Sequence, residues 1–393
     1  MRRTLLRHLI MELIILAITA VFFVGYAALI FYYRQCWLQI PGYESSAFVN
    51  KIPSTKITVI IPARNEEQNI GRCLQSIIDQ NYPPNLFEII VVDDHSTDNT
   101  AQIVQSFNRQ NIHCIFLKDF VNSTINSYKK KAIEIAIVQS TGNLIVTTDA
   151  DCNMGKQWLQ TIASFYEEYR PACIVAPVSI NCGNRFLEIF QALDFMVLQG
   201  ITGAAVYKKM HSMCNGANFA YEKNAFHEVD GFKGIDIIAS GDDMLLMHKI
   251  FTLYPDRVLF LKSKQAIVYT QPMHTWKEFF NQRIRWASKA DKYDDKRIFA
   301  VLALVYFFNL LLLVLPVVGI IKHQLLIINY WLILLILKTT VELLFLFPVS
   351  TFFNRQRMLW WFPLAQSFHI LYTIIAGWLG KFGKYSWKSR MVK

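Results

Sequence analysis

Between Leu13 and Tyr33 the chain carries no charged residue. Residues 299–321 are also free of charge, 325–347 are interrupted only by Lys338 and Glu342, and 358–380 contain His369 as their one ionisable group. A helix needs about 20 apolar residues to cross the bilayer core. Four membrane spans are therefore expected, one near the N-terminus and three toward the C-terminus. Hydrophobic residues make up 53% of the chain and the mean hydropathy is +0.26, more apolar than an ordinary soluble domain. The alternative for the first run is a secretory signal with Arg2, Arg3 and Arg7 as its basic start. The run exceeds the roughly 7–15 residues of such a segment and no small-x-small site follows it, which favours an anchor. Lys338 and Glu342 stand four apart, so on a helix they can neutralise one another. The alternative is that they line a groove for a lipid head group.

The net charge is +11. No stretch has the pattern of a basic recognition helix or a base-stacking sheet, so a nucleic-acid partner is not expected. Much of the charge flanks the spans (Arg2, Arg3, Arg7; Lys381, Lys384, Lys388, Arg390, Lys393), where anionic lipid head groups are the simpler partner. Lys129, Lys130 and Lys131 form a short internal run, read either as a solvated helix start or as an attraction for phosphates. The seven cysteines are scattered singly with no CxxC pair, which argues for reduced thiols and against a disulfide frame or a zinc site.

Between the first span and the others the hydrophobic pattern alternates. Residues 34–55, with Pro41, Gly42 and Pro53, read as a polar connection; the linker proper is set at 36–55. Strands are expected at 57–61, 87–92, 114–117 and 144–148, and helices at 66–80, 99–110, 129–139 and 156–169. Strand–helix alternation implies a largely parallel sheet covered on both faces. In such sheets ligands bind beyond the carboxyl ends of the strands, and that is where the acidic residues fall. Asp93-Asp94 follows the second strand. Asp149-Ala150-Asp151 follows the fourth, with the i, i+2 spacing that lets one carboxylate meet a hard cation and the other a second ligand. Gly241-Asp242-Asp243 opens an apolar helix from Met244 to Phe251. Its acidic pair serves either the helix dipole or proton abstraction from an attacking hydroxyl. Gln282-Arg283-Ile284-Arg285-Trp286 lies in a stretch that reads as an interfacial amphipathic helix; Arg285 could also meet a developing negative charge and Trp286 present a face to a sugar.

The four motifs, in this order and spacing, resemble the family 2 glycosyltransferases, in particular the membrane-integrated branch that includes cellulose, hyaluronan and chitin synthases and ceramide glucosyltransferase. Ile60-Ile61-Pro62-Ala63-Arg64-Asn65-Glu66-Glu67 is similar to the family's nucleotide-contacting opening, and Cys214-Asn215-Gly216-Ala217-Asn218-Phe219-Ala220-Tyr221 to its acceptor-side segment. The likeness covers roughly residues 56–290. It implies an α/β fold of GT-A type, Rossmann-like, with one transmembrane helix before it and about three after it. It divides the chain into an anchor (1–35), a linker (36–55), the GT-A domain (56–274), an interfacial segment (275–297), C-terminal spans (298–380) and a basic tail (381–393).

By the same resemblance, Ala63, Glu66, Asp93 and Asp94 hold the nucleoside end of a donor. Asp149 and Asp151 hold its diphosphate and Mg2+ or Mn2+, Asp151 being the direct ligand. Lys131 lies where many relatives place a lysine before this strand, and is assigned to the donor. Asp243 is the base, and Asp242 stands where the family often has Glu. Arg285 is assigned to catalysis, with Gln282 and Trp286 closing over donor and acceptor. The implied reaction is inverting transfer from a nucleotide sugar, with UDP favoured by family habit, to a lipid-linked or polysaccharide acceptor. The implied setting is the inner or plasma membrane, the catalytic domain facing the cytosol, with accessory export subunits as further partners. A cytosolic domain after one span and before three puts both basic termini outside, against the positive-inside tendency; cytosolic nucleotide sugars decide for that orientation. Alternatives are a processive polysaccharide synthase, a non-catalytic assembly partner and a small transporter.

Overall fold

The computed structural model describes residues 2–44, 53–121, 125–210, 213–238, 240–288, 296–382, 385–387 and 390–392. They form two compact units, residues 39–273 with 386–393, and residues 1–38 with 274–385. In chain order the helices are α1 (Arg2–Gln39), α2 (Ile70–Ile78), α3 (Thr100–Ser106), α4 (Tyr128–Gln139), α5 (Trp158–Tyr169), α6 (Phe186–Tyr207), α7 (Lys223–Glu228), α8 (Met244–Leu253), α9 (Trp276–Ala287), α10 (Lys296–Ile321), α11 (Leu325–Phe352) and α12 (Phe362–Phe382). The strands used below are β1 (Ile57–Ala63), β2 (Phe87–Asp93), β3 (Ile112–Phe116), β4 (Leu144–Thr147), β5 (Asn153–Met154), β6 (Cys173–Val175), β7 (Val178–Ile180), β8 (Phe219–Glu222), β9 (Val258–Phe260) and β10 (Val268–Thr270).

The unit holding residues 39–273 is built on a seven-stranded sheet in the order β3-β2-β1-β4-β8-β6-β9. The β-branched runs of β1 and β2 are buried on both faces, which is the environment of a parallel sheet covered by helices. β1, β2, β3 and β4 pair in parallel, as the alternation implied. The sheet is nevertheless mixed, because β8 enters antiparallel between β4 and β6. A three-stranded sheet, β5-β10-β7, accompanies it. Helix α2 turns Ile70, Cys73, Leu74 and Ile77 inward, the i, i+3, i+4, i+7 spacing of a buried helical stripe. The chain between α4 and β4 passes so close over β1 that a Cβ on Gly142 would lie 2.5 Å from the Thr58 nitrogen, so only glycine fits there.

Several elements differ from expectation, among them α2, which is shorter than 66–80. α3 is shorter than 99–110, because Asn108 takes a left-handed conformation (φ +40°) and the chain turns into β3. The first helix runs on through Gln39, into the expected linker, and residues 40–43 beyond it are fastened to Lys262. There Tyr43 N donates to the Lys262 carbonyl at 2.9 Å and Lys262 Nζ to the Ile40 carbonyl at 3.1 Å. α6, which no motif announced, is a fifth helix long and apolar enough to cross a membrane. Its most apolar window is 83% buried within the protein, against 17–33% for α1, α10, α11 and the helical stretch Gln356–Lys381. Its polar side chains grip neighbouring backbone: Gln199 Oε1 accepts from Val178 N at 2.9 Å, and Gln191 exchanges two bonds with Met273. α6 is thus an internal strut of the sheet unit.

The other unit consists of α1 and α9–α12. α9 starts with a capping box, in which Thr275 and Glu278 satisfy each other's backbone nitrogens. Lys338 and Glu342, both buried, pair at 2.8 Å on α11. Lys338 Nζ also donates to Gln366 Oε1 of α12 at 2.7 Å, while Tyr26 of α1 and Gln366 both donate to the Glu342 carboxylate. The expected neutral pairing is present. The pair is enclosed by side chains from three helices.

Candidate active site

The carboxyl ends of β1, β2 and β4 bring three sequence motifs to one edge of the sheet. Asp94 N donates to the Ala63 carbonyl at 2.8 Å, holding the end of β2 to the end of β1. Arg64 Nη1 donates to the carbonyls of Asp94 and His95 at 2.7 and 3.2 Å. The two following loops are laced side chain to backbone: Glu66 N to Thr100 Oγ1, Glu67 N to Asp98 Oδ2, Thr97 N to Asn65 Oδ1. Burial would raise the Asp98 pKa, but hydrogen bonds from Thr100 and Glu67 outweigh it and hold it low. Asp93 is buried; its Oδ2 accepts from Ser96 N at 3.2 Å, while its Oδ1 has no hydrogen-bond partner among the described residues. A buried acceptor left unmet is costly unless a ligand donor supplies the bond.

Next to this pair of loops lies an acidic cluster with one cation at its centre. Lys129, in the first turn of α4, reaches Asp149 Oδ1 at 2.8 Å and Asp242 Oδ2 at 3.2 Å. Burial works against its charge, but Asp149 and Asp242 outweigh that and lift its pKa above the ordinary lysine value. Asp151 Oδ2 accepts from Thr270 Oγ1 of β10 at 3.1 Å, which fixes its rotamer. The thiols of Cys73 and Cys152 are both pushed up, first by burial and then by the negative field of Asp151 and Asp149. Asp243 caps α8: its Oδ1 accepts from Met244 N at 2.7 Å and its Oδ2 from Gly216 N at 2.8 Å. Thr147 Oγ1 at the end of β4 donates to the Gly216 carbonyl at 3.0 Å, closing the ring between the second, third and acceptor-side motifs. Gly216 has no spare room, since a Cβ there would lie 3.2 Å from Asp242 Oδ2 and 3.4 Å from Lys129 Nζ.

Ala63, Asp93, Asp94, Asp149, Asp151, Asp242 and Asp243 thus gather along connected loops of one unit. Glu66 belongs to the same loops, its Oε2 accepting from Asn69 Nδ2 at 3.0 Å. Lys131 does not join them: it pairs with Glu134 on the surface of α4 at 2.8 Å, and Lys129 takes the position at the carboxylates. Gln282, Arg285 and Trp286 lie on α9, in the other unit. There Arg283, between the motif positions, stacks on Phe279 and Trp286 at 4.6 and 4.3 Å and donates to Gln282 Oε1 at 2.6 Å. Sequence reasoning missed Asn218, which is fully buried. Its amide donates to the carbonyls of Pro177 and Ala266 and accepts from Trp158 Nε1, tying the acceptor-side segment to both sheets.

Among the described residues no group of three or more His, Cys, Asp or Glu side chains could hold a metal by itself. The donors present are the hard carboxylate oxygens of Asp149 and Asp151. Such a pair suits Mg2+ or Mn2+ that completes its coordination with phosphate oxygens and water.

Residues 58–230 match the family model described as Glycosyl transferase family 2. That stretch is similar to the family, and its fold is α/β of GT-A type with a mixed sheet. A probable glycosyltransferase, YdaM of Bacillus subtilis (strain 168), is 29% identical over 238 residues, 59% of this chain and 54% of that protein. The poly(ribitol-phosphate) β-N-acetylglucosaminyltransferase TarS of Staphylococcus aureus (strain Mu50 / ATCC 700699) is 34% identical over 114 residues, 29% of this chain and 19% of TarS. The chain therefore spans about half the length of the first relative and about a fifth of the second. Among solved structures, the mannosyltransferase PcManGT from Pyrobaculum calidifontis, in complex with GDP-Man and Mn2+, superposes with a TM-score of 0.56. The identity is 20%, and the match covers 91% of this chain and 98% of that one. This likeness is one of fold.

Proposed function

We propose that this protein is an inverting, metal-assisted glycosyltransferase that moves a sugar from a nucleotide-sugar donor to a hydroxyl of a lipid-linked or polysaccharide acceptor at a membrane. The observation that carries the reading is the meeting of Asp149 and Asp242 on one ammonium, Lys129, with Asp151 and Asp243 two residues and one residue away along the chain.

Asp93 Oδ1, buried and unmatched, suits an N–H donor of a nucleobase, with Ala63, Glu66 and Asp94 shaping the loops around it. Asp149 and Asp151 would hold Mg2+ or Mn2+, which when bound neutralises charge on the leaving diphosphate. Lys129 takes the donor role that the resemblance gave to Lys131, since its ammonium reaches the same carboxylates. Asp243 is held by two backbone N–H groups, each oxygen keeping a lone-pair direction for a further proton. It removes the proton of the attacking hydroxyl as the new glycosidic bond forms on the face opposite the leaving group, so one base suffices. Asp242 orients Lys129. Arg285 is suited by charge to the diphosphate, and Gln282 and Trp286 by chemistry to the acceptor sugar.

α1, α10, α11 and α12 are read as the four spans, with lipids as partners and the catalytic unit in the cytosol beside its donor. The test is an Asp243→Asn variant in the presence of Mn2+ and a panel of nucleotide sugars. Transfer should fall by roughly 100- to 10,000-fold, the usual contribution of a general base, with nucleotide binding retained. Full transfer by Asp243→Asn would overturn the assignment.

A further inference from the structure

Lys130 has no part in the reaction described above, yet it is one of the most deeply buried cations in the sheet unit, 2% exposed. Its ammonium donates to three main-chain carbonyls, those of Ile235 at 2.6 Å, Ile238 at 2.7 Å and Ser240 at 3.1 Å. An ammonium has three protons to give, and these carbonyls take all three. Three residues earlier, on the same face of α4, Ser127 Oγ donates to the carbonyl of Asp236. One helical turn thus holds the carbonyls of Ile235, Asp236, Ile238 and Ser240.

The backbone bonds of segment 235–240 are short turns, Ile235 N to the Phe232 carbonyl and Ile238 N to the Ile235 carbonyl, and Ile237 lies 74% exposed. The segment leads directly into Gly241, whose φ of +79° is a conformation glycine adopts readily, and then into Asp242 and Asp243. Lys129, the residue just before Lys130 on α4, holds Asp242 itself. Burying an ammonium is expensive unless its partners are good. An apolar side chain could fill the same volume without that cost, so the lysine marks a requirement for its donors. The segment that needs them is the one delivering the carboxylates.

We propose that Lys130, assisted by Ser127, is a positioning residue that locks segment 235–240 onto α4 and so sets Asp242 and Asp243 against Asp149 and Asp151. The inference rests on the reading of Asp243 as the base. α4 is anchored against β1 and β2, so the clamp refers the base to the same rigid sheet that carries the donor carboxylates. A misplacement of about 1 Å at a reacting group costs on the order of 100-fold in rate.

The experiment compares full-length wild type, Lys130→Met, Lys130→Arg and Ser127→Ala by transfer kinetics, nucleotide binding with Mn2+, and hydrogen exchange over residues 235–243. Lys130→Met should lower kcat by about 100-fold, leave nucleotide affinity within about 3-fold, and accelerate exchange at the segment at least 10-fold. Lys130→Arg should recover part of kcat, because it keeps charge and donors in a different geometry. Ser127→Ala should show the same pattern more weakly, and it decides the matter if Lys130→Met does not fold. Unchanged exchange at 235–243 in the folded variants would overturn the clamp whatever reaction the enzyme performs. Faster exchange with unchanged kcat would overturn its link to the base. Full transfer by Asp243→Asn, with the clamp behaving as expected, would instead remove the base reading alone.

Discussion

Lys129 occupies a position that a metal ion would have to share, and this makes Lys129→Met informative because two binding constants should move in opposite directions. The ammonium lies 2.8 Å from Asp149 Oδ1. A divalent ion bound to that same oxygen at about 2.1 Å would stand at most roughly 5 Å from the ammonium. At that separation a double and a single positive charge repel by about 1.7 kcal/mol even in bulk water, and by more in a partly enclosed site. Removing the ammonium should therefore tighten Mn2+ binding in the absence of nucleotide by about 10-fold or more, since 1.4 kcal/mol is one decade. The diphosphate, by contrast, loses a charged donor worth roughly 1.5–3 kcal/mol, so nucleotide bound with Mn2+ should weaken by about 10- to 150-fold. Titration calorimetry of wild type and variant, with Mn2+ alone and then with UDP or GDP plus Mn2+, measures both. A variant whose metal affinity falls or stays constant would refute the idea that lysine and cation compete for Asp149.

Further outcomes are expected elsewhere. Lys338→Met should lower the thermal stability of the detergent-solubilised protein by the equivalent of about 3–5 kcal/mol, as for a broken buried pair, and Lys338→Met with Glu342→Leu should recover most of it. An equal loss in both variants would mean that shape and not charge holds the helices. Burial would raise the Glu167 pKa, but hydrogen bonds from Ser54 and Thr55 outweigh it and keep it low. Its stabilisation should be complete above the ordinary value of 4.5 and be lost as pH falls through the lowered folded value. Glu167→Gln should flatten the acid limb of a melting-temperature profile; an unchanged limb would assign acid lability to other groups. A reporter inserted near residue 110 should read as cytosolic, and an external readout would reverse the proposed orientation.

Pattern and chemistry coincide most closely at the parallel strands. The runs Ile89–Val92 and Leu144–Thr148 are too short for spans and too β-branched for helices, and the acidic residues at their carboxyl ends lie where the sheet rule expects them. β8 could not be read this way, because a four-residue strand returning antiparallel carries no period of its own. α6 was hidden for a related reason: a helix enclosed on nearly every side loses the polar stripe that advertises helical spacing. The lysine run shows the limit of spacing arguments. Successive residues on a helix point about 100° apart, so Lys129 meets the carboxylates, Lys130 the segment at 235–240, and Lys131 the surface Glu134. Sequence alone offers no way to choose among the three. Asn218 was legible only as part of a resemblance, since a buried amide and an exposed one are spelled alike.

The joining of Tyr26 to Glu342 spans 316 positions of chain. On the proposed reading of α1 and α11 as spans, the first helix would wait in the bilayer during synthesis, its phenol without that acceptor, until α11 is threaded. α11 can meanwhile enter as a self-compensated rod, because Lys338 and Glu342 already face each other one turn apart. On that reading insertion and assembly would be separated in time: the charged helix would need no partner to enter the lipid, and the bundle would be complete only when Gln366 arrives with the last helix.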